Sequence, residues 1–175
     1  MRGLLEQIET GLSHNLYFLS LFVSLTIPDI CAAMGSENGK TENTKYKAWF
    51  NKYFVPRNPR KYGDGTNFTA DDCYNFRCAI LHQGRSNNGE MAYKRIMFFE
   101  PGTFSIGLHS CVVGAKTREK SLVIDVKTFC ADMVHSAQKW IKENENSAVY
   151  KTNSLCLVKR YPHGIPPVLG GPVIG

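Results

Sequence analysis

Apolar positions recur at helical spacing in the first half and last third of the chain and at strand-like density between. Met1 to Gly11 mixes leucines with Arg2, Glu6 and Glu9, the start of an amphipathic helix. Leu16 to Met34 is apolar almost throughout, but Pro28 and Asp29 interrupt it. The unbroken part, Leu16 to Ile27, falls short of the about 20 residues that a bilayer crossing needs. We expect a central helix, covered all round, that bends or restarts at Pro28. Tyr46, Phe50, Tyr53 and Phe54 fall at the i, i+4, i+7, i+8 spacing of a buried stripe and predict a helix over 46–54, ended by Pro56, Pro59 and Gly63. The next helix is the best marked: Thr69 with Asp72 approximates a capping box, Asp71 and Asp72 suit its positive end, and Gly84 closes it.

From Lys94 the texture changes. Arg95 to Phe99, Phe104 to Val113 and Ser121 to Val126 are rich in β-branched and aromatic residues, which predicts a small antiparallel sheet. Asp125 then caps a last long helix with Phe129, Met133, Ala137, Trp140 and Ile141 on its apolar face. The expected fold is mainly α: one helical-bundle domain over residues 1–161 with a β insertion at about 94–126. Residues 162–175 form a Pro/Gly-rich apolar tail, a composition that should not build a packed element. No internal repeat is visible.

Charge sharpens this picture. Over 175 residues the formal net charge is +6, and Lys45, Lys47, Lys52, Arg57, Arg60 and Lys61 supply all of it in a stretch without Asp or Glu. Such a strip favours a polyanionic partner. Tyr46, Trp49, Phe50, Tyr53, Phe54 and Tyr62 interleave with it, either as surfaces for stacked bases or as the core side of a helix whose basic side is solvated. The six cysteines lie in apolar patterns and are expected to be buried free thiols. With no secretory signal evident and no membrane partner expected, the cytoplasm is the expected compartment.

The chemistry concentrates in Phe76-Arg77-Cys78-Ala79-Ile80-Leu81-His82-Gln83-Gly84-Arg85, an Arg-x4-His at an apolar helical end. This run resembles the Arg-x4-6-His motif of the HEPN family, whose members are helical bundles and often metal-independent RNA endonucleases of toxin and phage-defence systems. The residue after the arginine is commonly polar in that family and is Cys78 here, and the sheet would be an insertion. The resemblance implies Arg77 and His82 as catalytic residues, RNA as substrate, no cofactor and a homodimer in which paired copies furnish one cleft. A neutralising or regulatory protein partner would fit such a system.

The residues support that chemistry independently. RNA hydrolysis without metal needs a proton acceptor, a proton donor and a cation for developing phosphate charge. His82 exchanges protons near neutral pH and Arg77 keeps its charge. Five helical positions make about 140° of rotation, so the two side chains converge in one chain only if the helix bends or ends at His82. In a purely structural role, His82 would cap the helix end and Arg77 would pair with Asp29, Asp72 or Asp132. Arg85 stands where it could assist phosphate binding. No metal site is expected, because Cys73, Cys78 and His82 match no common zinc spacing. His14, His109, His135 and His163 have no sequence companions and are expected to be structural or exposed. The alternative function is a non-catalytic helical module that binds nucleic acid or a protein through the basic strip and tail.

Overall fold

The computed structural model describes residues 1–86, 92–102, 108–117 and 119–175. Six α-helices are present among them: α1 (Arg2–Ser13), α2 (Tyr17–Met34), α3 (Asn43–Trp49), α4 (Ala70–Gln83), α5 (Val126–Asn144) and α6 (Ala148–Ser154). The molecule is mainly helical. Leu5, Ile8 and Leu12 of α1, Leu21 and Leu25 of α2, and Phe129, Met133, Ala137, Trp140 and Ile141 of α5 join one apolar core, so the stripes read from the sequence are the packed faces.

α2 runs through Pro28 without a break. A proline removes one helix hydrogen bond, and Pro28 is itself buried within the helix. Nor is α2 covered all round: Leu16, Phe18 and Leu19 at its start are exposed. It is the one described helix long and apolar enough to cross a bilayer, and half of it is buried inside the molecule. α3 continues as a π turn over Phe50–Phe54 and a short 3₁₀ turn over Val55–Arg57, which keeps Phe50, Tyr53 and Phe54 in the core. α4 begins with the full capping box between Thr69 and Asp72 and ends at Gly84 in the left-handed region (φ 63°). Asp125 caps α5 by accepting the Thr128 N–H at 2.6 Å.

The sheet corrects the antiparallel expectation. β1 (Arg95–Phe99) pairs in parallel with β3 (Ser121–Asp125), while β2 (Cys111–Val113) pairs antiparallel with β3, giving the order β1-β3-β2. β3 takes the centre because Ser121, Leu122, Val123 and Ile124 are all buried, as a strand covered on both faces requires. The start of the strand expected from Phe104, residues 104–107, lies outside the described residues.

The last long helix ends at Asn144, and Ser147 caps the separate α6. The tail is also more ordered than its composition suggested. β4 (Arg160–Tyr161) pairs with β7 (Val173–Ile174), and β5 (Gly164–Ile165) with β6 (Val168–Leu169). Its reversals use Gly164 and Gly170 at positive φ, which fits Pro/Gly-rich sequence to a tight double turn. Val168, Leu169 and Ile174 stay exposed.

Candidate functional site

Arg77 and His82 meet within one chain. Because α4 ends at Gln83, His82 sits in its last turn, and the long Arg77 side chain reaches along the helix to place Nη1 2.8 Å from His82 Nε2. A guanidinium can only donate, so His82 Nε2 is the acceptor in this geometry. His82 is exposed, whereas Arg77 is held between α4 and α2 with 19% of its side chain accessible.

Of the three carboxylates considered for Arg77, the partner is Asp29: Arg77 Nη2 lies 2.7 Å from Asp29 Oδ2. Asp72 is occupied in the α4 cap, and Asp132 receives Arg57 and Tyr62. Burial pushes the Asp29 carboxyl above its ordinary value, against the pull of the Arg77 guanidinium and the Thr41 hydroxyl. Burial also works against charge on Arg77, but Asp29 and the Cys78 thiol outweigh it and raise the guanidinium. Cys78 Sγ accepts from Arg77 Nη1 at 3.7 Å, so the departure after the arginine still touches the cation.

The cluster is close in distance but poorly saturated. Asp29 Oδ2, Arg77 Nε and Thr41 Oγ1 are buried without a hydrogen bond of good geometry; the Asp29–Arg77 contact is an ion pair by distance only. Asp29 and Thr41 still act on one another at close range, so the donor left over is Arg77 Nε. The sequence offered Asp29 as one partner among three and gave no sign of Thr41, because neither lies near the motif in the chain.

The basic strip does not form one face. Lys47 pairs with Asp71, Arg57 Nε lies 3.4 Å from Asp132 Oδ1, and Lys61 Nζ is 4.0 Å from Cys111 Sγ. Lys52 and Arg60 are exposed, and half-buried Lys45 touches the Lys40 carbonyl at 3.3 Å. Arg85 is exposed just beyond Gly84. The interleaved aromatics are core: Tyr46, Trp49, Phe50, Tyr53, Phe54 and Tyr62 are all buried, so none is a platform for bases.

A second polar cluster was missed, since His109 has companions after all. The Asp125 N–H donates to His109 Nδ1 at 3.3 Å, His109 Nε2–H donates to the Tyr62 hydroxyl at 2.6 Å, and that hydroxyl donates to Asp132 Oδ2 at 2.9 Å. Burial lowers His109 below its ordinary value, Asp125 and Asp132 pull it upward, and Lys61 lowers it further. Both ring nitrogens are occupied and Tyr62 is 1% exposed, so the chain of bonds is a satisfied support rather than a place for substrate. Its hydrogen-bonded partners lie 16 to 70 residues apart, which leaves no local spacing to find.

All six cysteines are free thiols, but only Cys31, Cys73 and Cys130 are buried; Cys78 and Cys111 are half-buried and Cys156 is exposed. Among the described residues no group of three or more His, Cys, Asp or Glu is placed to hold a metal ion. Neither a protein-family model, nor a curated protein, nor a solved structure matches this chain.

Proposed function

We propose that the protein is a metal-independent RNA endonuclease that works at Arg77 and His82. The carrying observation is the 2.8 Å approach of these side chains beside Asp29. A phosphodiester that takes the Arg77 N–H groups frees the His82 Nε2 lone pair, which then accepts the 2′-hydroxyl proton; attack by that oxygen expels the 5′-oxygen and leaves a 2′,3′-cyclic phosphate. Proton return to the leaving oxygen comes from the resulting imidazolium or from the same pair in a second copy. Asp29 keeps Arg77 aimed while Lys45, Lys52, Arg60 and Arg85 attract the strand. The HEPN resemblance supports the same chemistry and, with it, a homodimer, a cytoplasmic toxin or phage-defence role and a neutralising partner.

A non-catalytic RNA- or protein-binding role is favoured by one observation: the pair stands at an exposed helix end, and neither side chain lines the largest of the cavities described. Incubation of RNA with the protein in excess EDTA separates the two. Wild type should yield cyclic-phosphate ends and His82→Ala should be slower by about two to four orders of magnitude. Equal cleavage by a folded His82→Ala, or none by wild type, would favour the binding module.

A further inference from the structure

A cavity of about 360 Å³ opens where the C-terminal end of α2, the α3 helix with its π turn, and the C-terminal end of α5 come together. Its small residues are Ala32, Gly35 and Ala48. A Cβ at Gly35 would stand 3.3 Å from Trp140 Cζ2, so this end of α2 lies directly on the indole. Trp49 and Trp140, the only two tryptophans of the chain, both line the cavity. Trp49 Nε1 is buried without a hydrogen-bond partner among the described residues.

The polar side is basic. Lys45 of α3 and Lys52 of the π turn that continues it both line the cavity. Neither makes an ion pair among the described residues: Lys45 has only the Lys40 carbonyl, and Lys52 lies 5.0 Å over the Tyr53 ring. The nearby carboxylate of Glu143 accepts from the Tyr53 hydroxyl at 3.0 Å. Asn144 is fixed by donating from Nδ2 to the Trp140 carbonyl at 2.8 Å.

We propose that this cavity binds a small anion with a compact apolar body. The anionic group lies between the Lys45 and Lys52 ammoniums and the body rests on Ala32, Gly35 and Ala48, beside the small exposed edges of the two otherwise buried indoles. The volume is at the low end for ligand pockets, which suits a ring-sized body. Two ammoniums that make no ion pair among the described residues, Lys52 feeling only the more distant Glu143, favour a carboxylate or phosphate over a neutral ligand. Nothing in this proposal depends on chemistry at Arg77 and His82.

Having two tryptophans gives the protein two indole N–H signals in a ¹H–¹⁵N spectrum, both from the cavity wall. Titration of the full chain with benzoate and with phenyl phosphate should shift at least one of them saturably, and the tighter probe identifies carboxylate or phosphate as the preferred group. Neutral benzamide should bind at least about tenfold more weakly, as should the anions to the Lys45→Ala/Lys52→Ala variant, in line with the usual worth of charge-assisted hydrogen bonds. Lys127→Ala, at the far end of α5 and about 25 Å along that helix from Asn144, should bind like wild type. No saturable shift by about 10 mM of either anion would overturn the proposal. So would benzamide binding as well as the anions, unchanged binding by the double lysine variant, or an equal loss in Lys127→Ala.

Discussion

Arg77 distributes its donors among an imidazole at 2.8 Å, a thiol at 3.7 Å and a carboxylate at 2.7 Å, with Nε left over. An ammonium has neither the planar fork nor the reach for all three, so Arg77→Lys should cost RNA cleavage heavily while leaving the fold intact; unaltered steady-state rates would show that the fork is not used. Asp29→Asn removes the counter-charge from a mostly covered guanidinium. It should destabilise the protein by about 1–3 kcal/mol in urea denaturation, below the cost of breaking a fully buried pair because Arg77 retains some solvent contact. His109 predicts a pH effect of definite sign. Its folded value is lowered, so as pH falls below about 6.5 the unfolded chain takes up the proton first and stability drops; above that pH this group contributes no slope. His109→Gln should flatten the decline in melting temperature between about pH 6.5 and 5, and an unchanged slope would remove His109 as its source.

At the level of elements, α4 depends on its first turn, where Thr69 and Asp72 satisfy each other's backbone N–H groups. Thr69→Ala should cost about 0.5–2 kcal/mol, measurable by chemical denaturation, and the loss should reach His82 because the same helix carries the motif. The α3 segment predicts an unequal charge response. Neutralising Lys52 and Arg60 should weaken RNA binding and lower its salt dependence more than neutralising Lys47 and Arg57, which already face Asp71 and Asp132. Filter binding across a salt series checks this, and equal effects of the two sets would mean the ion pairs do not matter. The caps, stripes and helix ends were legible because each is written in residues three to eight positions apart. Strand direction was not: β1 and β3 are joined through residues 100–120, and their parallel pairing answers to burial of Ser121–Ile124 rather than to any turn signal. The site was half legible. The Arg-x4-His spacing lies within one helix, whereas Asp29 reaches it from 48 residues away through the packing of α2 against α4, and Thr41 from 36 residues away in the connection between α2 and α3.

At the scale of the whole molecule, Leu16, Phe18 and Leu19 at the start of α2 and Val168, Leu169 and Ile174 in the tail are exposed apolar residues among those described. Patches of this kind mark association sites, which together with the proposed nuclease role predicts at least a dimer. Light scattering of the full chain and of one ending at Tyr161 tests it: the full chain should be dimeric, the shortened chain should dissociate more readily if the tail takes part, and a monodisperse monomer in both would refute dimerisation. The packing of α2 has a further consequence while the protein is being made. Its largest set of helix partners is on α5, which ends about 110 residues after α2 does. At about 5–20 residues per second the ribosome needs roughly 5–20 s to deliver that cover. Throughout that interval α1 and α3 can cover only part of this 18-residue apolar helix, and to the cell's sorting machinery the face awaiting α5 has the length and greasiness of an address label. The speed of elongation through residues 35–144 therefore sets how long the nascent chain competes for chaperones and targeting factors before its own fifth helix hides the label.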